Sequence, residues 1–375
     1  MMLSVWVPLL LPFLAAPLAR RLAEALSPRA AAWMLAGSAV VLAGGTLGSL
    51  GLIAAAGLLQ LPPVAALGHL SLPWLTTAAP DAPFAAVAAT LALAALAALA
   101  VRTGRRRRRE LRTARASLPA ADQHPDTRPR RAPVRRARTP ERFGALLRLA
   151  RSPLGALPRA AASPLRSVRA LLRPAEPPLA VLDDERADAF ALPGRLGRPG
   201  RPGEPGRIVV TAGMLRALSG PERSALLAHE RAHLAARHHV FLALAEHAAG
   251  IHPALRPLRA PLGYHLERWA DEVAAARVGD RAVTARAVGR AALAANRDPW
   301  PARPRLAPAA HSGPVPRRVA ALLQPRPAAA PGTGLRAVAL ALGVCLALST
   351  GATLEATADL HHTVEAAQHG VGAER

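Results

Sequence analysis

Residues 84–109, FAAVAATLALAALAALAVRTGRRRRR, join an uncharged apolar run to a dense group of arginines. A helix that crosses the hydrocarbon core of a bilayer needs about 20 predominantly apolar residues. Arginines close to the end of such a run stay on the cytoplasmic side of the membrane. We therefore predict that residues 84–101 span a membrane and that the arginines after them face the cytoplasm.

Three other apolar runs have the length of a membrane span. The first is followed by Arg20 and Arg21, whereas a signal peptide carries its positive charges before the apolar run, so we expect an uncleaved span. The second is longer than one span requires, so its helix tilts, extends past the lipid or breaks near Gly44 and Gly45. The three runs are residues 3–19, 30–61 and 337–354.

The arginine distribution gives all four predicted spans one consistent orientation. Loop 20–29 carries three arginines, loop 62–83 carries no basic residue, and the region 102–336 is strongly basic. The tail 355–375 is acidic, with Arg375 as its single basic residue. Because basic loops stay in the cytoplasm, the region 102–336 is predicted to be cytoplasmic and both termini external. The chain is thus expected to be a multi-pass protein of the cell membrane.

The overall composition agrees with this class. The chain has 375 residues, a formal net charge of +24, and 51% hydrophobic residues of which few are aromatic. Such apolar content beside so much charge requires that the two be segregated along the chain. The only cysteine is Cys345, which excludes an intrachain disulfide scaffold.

Residues 102–177 are predicted to form an Arg/Pro-rich cytoplasmic linker. Between Arg102 and Arg173 there are 21 arginines and four acidic residues, so this segment cannot bury a core. Short amphipathic helices are expected near residues 142–150 and 164–173. The run 105–109 directly follows a span, which favours contact with anionic lipid head groups, at about 1 kcal/mol for each basic side chain. No aromatic platform accompanies the arginines, so nucleic acid is not favoured as a partner.

Sequence patterns typical of strands and helices begin again at Pro178. Three short strands are predicted, followed by a helix that starts at the Ser219–Glu222 capping box and runs to about Ala249. We therefore expect a small α+β, mainly helical, domain. A Pro-rich linker precedes the fourth span. The strands are residues 179–183, 187–192 and 207–211, the domain is residues 178–300, and the second linker is residues 301–336.

The predicted long helix carries the motif His229-Glu230-Arg231-Ala232-His233. Histidines four residues apart on a helix lie one turn apart on the same side, so both rings can reach one metal ion. Glu230 adjoins the first of these histidines and can take a proton from metal-bound water. Alone, the motif could also arise by chance as a solvated face of an ordinary helix.

A second predicted helix supplies the acidic residue that a hydrolytic zinc site needs. Such a site takes three protein ligands and keeps a position open for water. Glu267 lies 34 residues after His233, and Asp271 shares its helix face. Glu267 is predicted to bind one Zn²⁺ together with His229 and His233, and Asp271 to orient a ligand histidine through its second ring nitrogen.

The donor that would stabilise the oxyanion is not identified by the sequence. Tyr264, His265, His252 and Arg268 lie near enough to be considered, although surface or structural roles are favoured for each. His238 and His239 follow His233 by five and six positions, and a continuous helix would point them away from the metal. They are expected at a helix end or an interface.

Four stretches of this domain together resemble the catalytic domain of the integral-membrane gluzincin peptidases, which include the HtpX and CAAX-prenyl-protease type and the BlaR/MecR-type transducer peptidases. The resemblance covers about residues 178–300 and implies the same zinc ligands and the same base, Glu230. It also implies that Ala189, Phe190, Ala191 and Leu192 form an edge strand that pairs with extended substrate. The stretches are AFALPG (189–194), RIVVTAGMLRAL (207–218), LLAHERAHLAARHH (226–239) and ERWADE (267–272).

Three spans before the domain and one after it are most similar to the BlaR/MecR-type arrangement. The best-known members of that type carry a penicillin-binding sensor domain after the last span, where about 20 residues remain here, so no C-terminal sensor is expected. The predicted activity is a zinc-dependent endopeptidase that cleaves protein substrates at the cytoplasmic face, in regulated proteolysis. The alternative is an inactive membrane regulatory or interaction protein with a structural metal site. The oligomeric state is left open.

Overall fold

The computed structural model describes residues 2–78, 80–116, 177–195, 203–297, 314–324 and 333–373 and is mostly helical. The segments 142–150 and 164–173, for which amphipathic helices are predicted, lie outside the described residues. The elements are α1 (Met2–Ala25), α2 (Pro28–Leu58), α3 (Pro62–Leu67), α4 (Leu72–Ala78), α5 (Ala82–Ala116), β1 (Leu179–Leu182), β2 (Ala189–Leu192), β3 (Arg207–Thr211), α6 (Ala212–Ala217), α7 (Gly220–Ala235), α8 (His238–Ile251), a 3₁₀ helix (Pro253–Leu258), α9 (Arg259–Val278), α10 (Arg281–Arg297), α11 (Val315–Leu323) and α12 (Thr333–Ala373).

Four of the described helices, α1, α2, α5 and α12, are long and apolar enough to cross a membrane. Helices α1, α5 and α12 each contain one of the apolar runs found in the sequence, and α2 contains residues 30–58 of the run 30–61. The second run forms one continuous helix and does not break at Gly44 and Gly45. A side chain at Gly45 would come within 2.5 Å of the Ser349 hydroxyl, so this glycine allows α12 to approach α2 closely.

Helices α5 and α12 extend far beyond the predicted spans. Helix α5 includes the arginine run and ends at Ala116, so the linker boundary predicted at residue 102 is wrong. Arg106 and Glu110 form an i, i+4 ion pair on this extension, and Leu111 and Ala114 pack against the sheet. Helix α12 likewise continues through the predicted tail to Ala373.

The predicted linker 301–336 also needs correction, because Val315–Leu323 form helix α11 within it. Its residue Leu322 is buried in a cluster with Ala275 of α9 and Val288 of α10. The predicted catalytic domain therefore packs with a helix that lies beyond its predicted end at residue 300.

The three strands form a small mixed sheet in the order β1-β3-β2. Strand β1 runs parallel to β3 and β2 runs antiparallel to it. One face of the sheet packs against α6, α7 and α10, and the other is covered by the end of α5. Thr211 ends β3 and caps α6 by accepting a hydrogen bond from the Met214 amide at 3.2 Å.

Helices α8 and α9 and the 3₁₀ helix pack on the apolar helices α1 and α2. Phe241 of α8, Leu258 of the 3₁₀ helix and Leu262 of α9 are buried in one cluster with residues of α1 and α2. The His252 ring nitrogen Nε2 lies 3.1 Å from the Leu9 carbonyl oxygen of α1. The predicted catalytic domain and the candidate spans thus share one hydrophobic core.

The helix predicted from Ser219 to about Ala249 is divided into α7 and α8. Arg237 has a φ of 53°, in the left-handed region, and α8 begins at the next residue. A left-handed residue cannot continue a right-handed helix, so the chain changes direction there. The start of α7 is as predicted, since the Ser219 amide donates to the Glu222 carboxylate at 2.9 Å.

Candidate metal centre

The structure brings together the three side chains that the sequence predicts as zinc ligands. His229 and His233 of α7 and Glu267 of α9 each offer one ligand atom, and these atoms lie within 4.8 Å of one another. The two Nε2 atoms are 2.9 Å apart, and the Glu267 carboxylate oxygens lie 3.4 Å from Nε2 of His229 and 3.6 Å from Nε2 of His233. All three residues are buried.

This set of donors fits a catalytic metal site. Two imidazole nitrogens and one carboxylate are a ligand set that catalytic zinc takes, with a fourth position for water or substrate. Glu230, which the sequence predicts as the general base, follows His229 on α7 and is completely buried. Its negative charge contributes to raising the pKa of the nearby Arg318.

Asp271 lies behind His229, as its place one turn after Glu267 predicts. Its Oδ1 is 3.0 Å from Nδ1 of His229, the ring nitrogen that does not face Glu267. Burial disfavours the charged imidazolium, but the hydrogen bonds and negative charges of Asp271 and Glu267 outweigh it and raise the pKa of His229 to about 9. Contact with Asp271 fixes the orientation of this ring.

Arg318 is the residue of this site that the sequence analysis missed. It comes from α11, it is 0% exposed, and its Nε and Nη2 donate to the two oxygens of Asp271 at 2.8 and 2.7 Å. Its Nη1 lies 3.0 Å from Oε2 of Glu267. Burial alone would raise the pKa of Asp271, but Arg318 and His229 hold it at about 2, so the carboxylate stays ionised.

A sequence signal for Arg318 does exist. Val315, Val319 and Leu322 pack into or against one hydrophobic cluster, and Arg318 falls among them at helical spacing. An arginine on the apolar face of a short helix requires a buried acidic partner, because an unpaired buried charge is very costly. The sequence does not say which carboxylates provide it.

His238 is the second residue whose place differs from the prediction. Its Nδ1 lies 2.7 Å from Nδ1 of His233, so it contacts a predicted metal ligand instead of pointing away. The left-handed Arg237 causes this, because it turns the chain back after α7. Burial lowers the pKa of His238 to about 3, with smaller contributions from His229 and His239, and the ring is therefore neutral.

The contact between Nδ1 of His233 and Nδ1 of His238 determines the tautomers of the two rings. If Nε2 of His233 is to bind a metal ion, its proton must be on Nδ1, which then donates to Nδ1 of His238. The proton of His238 must then be on Nε2. The His238 ring also lies against Trp269, with the ring centroids 4.8 Å apart.

The residues considered as oxyanion donors have other contacts in the structure. Arg317 lies over the ring of Tyr264, Arg268 pairs with Glu272 at 3.2 Å, and His252 contacts α1. His265 is buried, and burial together with two nearby arginines lowers its pKa to about 4. The contacts described here do not assign an oxyanion donor among them.

The predicted edge strand, Ala189–Leu192, is β2 and does lie at an edge of the sheet. All four of its residues are buried. Ala189 faces the cluster formed with α6, α7 and α10, whereas Phe190 and Leu192 contact the end of α5. Among the residues that the structure describes, its backbone pairs with β3 alone.

Comparison with known proteins identifies one family for this region. Residues 162–254 match the family model described as Peptidase family M48. The matched range includes the three strands and the motif of α7, and it ends before Glu267. No curated protein and no solved structure matches the chain. By this match, the segment 162–254 is similar to the zincin-like metallopeptidases of family M48, and the buried cluster that its His229 and His233 form with Glu267 agrees with this similarity.

Proposed function

We propose that the chain is a membrane-bound, zinc-dependent endopeptidase with its catalytic domain on the cytoplasmic side. The observation that carries the proposal is the buried cluster of His229, His233 and Glu267 with Glu230 beside it. The family match over residues 162–254 supports peptidase chemistry. Within this proposal the chain has the span arrangement of a transducer peptidase.

Each residue of the cluster has a defined role in this mechanism. Bound zinc supplies a Lewis acid that activates water and polarises the carbonyl of the scissile peptide bond. Glu230 accepts the proton of the attacking water and delivers it to the departing amine. Asp271 and His238 hold the two ligand rings so that both Nε2 atoms face the ion, and Arg318 balances the charge of Glu267 and Asp271.

Contacts of the arginine-bearing end of α5 support the proposed placement of the domain. Arg107 donates to the His239 carbonyl at 3.0 Å, and Arg115 donates to the Pro193 carbonyl at 2.7 Å. The catalytic domain therefore lies at the end of α5 that carries the arginines. Since such clusters remain in the cytoplasm, we assign the domain to that side and the two termini to the outside.

The partners in this proposal are a protein or peptide substrate and anionic lipid. An extended substrate would pair with the open edge of β2 by adding a strand. Arg108 and Arg109 are exposed on α5 and would contact anionic head groups next to the membrane, together with the Arg-rich linker. Nucleic acid is not part of the proposal.

The test separates metal binding from catalysis in the full chain purified in detergent. We expect one zinc per chain and hydrolysis of fluorescent casein. Glu230→Gln should keep zinc and lose about 10²- to 10⁴-fold in rate, because a positioned proton acceptor contributes a factor of this size. Glu267→Ala should lose zinc.

Glu246→Gln, the same change on α8 outside the cluster, is the matched control and should keep both properties. Full activity in Glu230→Gln would contradict the mechanism. A folded wild-type protein that binds zinc but hydrolyses nothing would instead favour a structural metal site in a regulatory protein.

A further inference from the structure

A cavity of about 1290 Å³ lies behind the metal centre, next to the α1–α2 turn. Helix α9 forms one wall and presents a different face to it from the one that carries Glu267. Helix α11 and the first turn of α12 complete the lining through residues such as Arg317 and Leu335. The peptidase mechanism proposed above does not use this cavity.

The lining carries an excess of positive charge. It includes five arginines and two glutamates. Two of the arginines, Arg268 and Arg281, already pair with Glu272, at 3.2 and 2.6 Å. Arg20 and Arg317 are exposed, and neither has a carboxylate partner among the residues that the structure describes. The cavity therefore holds guanidinium groups that remain available to an anion.

Aromatic rings orient two of these guanidinium groups. Arg317 lies 4.8 Å from the ring centroid of Tyr264, and Arg29 lies 5.4 Å from that of Trp269. Such stacking holds the planar group in place and leaves its N–H donors free to bind two oxygens of a phosphate.

His265 provides an independent indication that a polar ligand belongs here. This residue is 6% exposed and lines the cavity, and its buried Nδ1 has no hydrogen-bond partner in the described part of the chain. Buried polar atoms in folded proteins nearly always have a partner. A bound molecule with oxygen atoms could supply the missing one.

The position of the cavity favours a lipid as that molecule. Arg20 and Arg29 belong to two candidate spans, α1 and α2, and Leu335 belongs to a third, α12. Leu26 and Leu335 add apolar surface next to the charged groups. Basic pockets between spanning helices on the cytoplasmic side are typical binding sites for anionic head groups.

We propose that this cavity binds the phosphate head group of an anionic phospholipid through Arg20, Arg29 and Arg317. The proposal rests on the membrane placement given under the proposed function but not on its peptidase chemistry. The lipid would lie behind Trp269, which contacts His238 and so forms part of the wall between the cavity and the metal centre.

The experiment is native mass spectrometry of the full chain in detergent, titrated with phosphatidylglycerol or with phosphatidylcholine. We expect one tightly bound phosphatidylglycerol and no comparable phosphatidylcholine. The double variant Arg20→Gln/Arg317→Gln should weaken this binding by about 30-fold, since each basic side chain contributes on the order of 1 kcal/mol. The variant Arg216→Gln/Arg297→Gln removes two exposed arginines that lie outside the cavity lining and should keep the site.

A second variant tests the cavity without changing its charge. Ala276 is exposed and lines the cavity, so Ala276→Trp should fill it and displace the lipid. Equal losses in the two double-arginine variants, no loss in Arg20→Gln/Arg317→Gln, or displacement by millimolar inorganic phosphate would each overturn the proposal. Zinc content measured on the same samples shows separately whether the metal centre is intact.

Discussion

The two histidines of the α7 motif have different contacts at their Nδ1 atoms. His229 faces Asp271, an ionised carboxylate that Arg318 also binds. His233 faces His238, a neutral ring that packs against Trp269. Asp271 and Arg318, on the His229 side, therefore determine both the charge balance of the centre and the orientation of the His229 ring. His238, on the His233 side, determines only the orientation of the His233 ring. Substitutions on the two sides should consequently differ in their effect on stability.

The largest effect is expected from Asp271→Asn. The change removes the negative charge of Asp271 and leaves the buried Arg318 with Glu267 as its remaining ion-pair partner in this cluster. Breaking a buried ion pair costs about 3–5 kcal/mol. Zinc affinity should also fall, by about 10- to 100-fold, because His229 loses its charged acceptor. Thermal unfolding and zinc titration in detergent measure the two losses.

The double variant Asp271→Leu/Arg318→Met sharpens this comparison. Removing both charges should restore most of the stability, since a buried ion pair contributes little net stability over apolar residues of similar size. Zinc affinity should stay low. A double variant as unstable as Asp271→Asn would show that the unpaired charge of Arg318 is not the cause of the instability.

A smaller effect is expected from His238→Phe on the neutral side. The aromatic packing against Trp269 is kept and no charge is removed, so the free energy of unfolding should fall by only about 1 kcal/mol. Zinc affinity should fall about tenfold, because Nδ1 of His233 loses its acceptor. Thermal unfolding and the same zinc titration measure the two effects, with His239→Phe as the matched control. A loss of stability as large as that of Asp271→Asn would show that the His229 and His233 sides do not differ in this way.

The smallest effect is expected at the turn that brings His238 to His233. Arg237 has a left-handed conformation, which costs a residue with a Cβ atom about 1–2 kcal/mol and glycine almost nothing. Arg237→Gly should therefore raise the melting temperature by about 2–4 °C, and Arg237→Ala should not. A lower melting temperature for Arg237→Gly would mean that the Arg237 side chain itself stabilises the turn.

Local patterns predicted the parts of this molecule that local forces determine. The apolar runs, the short strands and the capping residues of α7 lie where periodicity and composition place them. The i, i+4 spacing also predicted that His229 and His233 would meet, and the structure brings Glu267 to them.

The parts that sequence reasoning missed depend on contacts between distant segments. Helix α5 continues to Ala116 because Leu111 and Ala114 find the sheet to pack against. Arg318 reaches Asp271 across 47 positions of the chain, and no short-range pattern identifies that pairing. His238 was misplaced because Arg237 turns the chain without a glycine to mark the turn.

The shared core of the catalytic domain and the candidate spans has a consequence for biogenesis. Phe241, Leu258 and Leu262 are buried in a cluster that includes residues of α1 and α2, and the end of α5 covers one face of the sheet. During synthesis these three helices leave the ribosome before the domain does. The domain can therefore complete its folding only on helices that are already assembled, and a fragment released from them would expose apolar surface and aggregate.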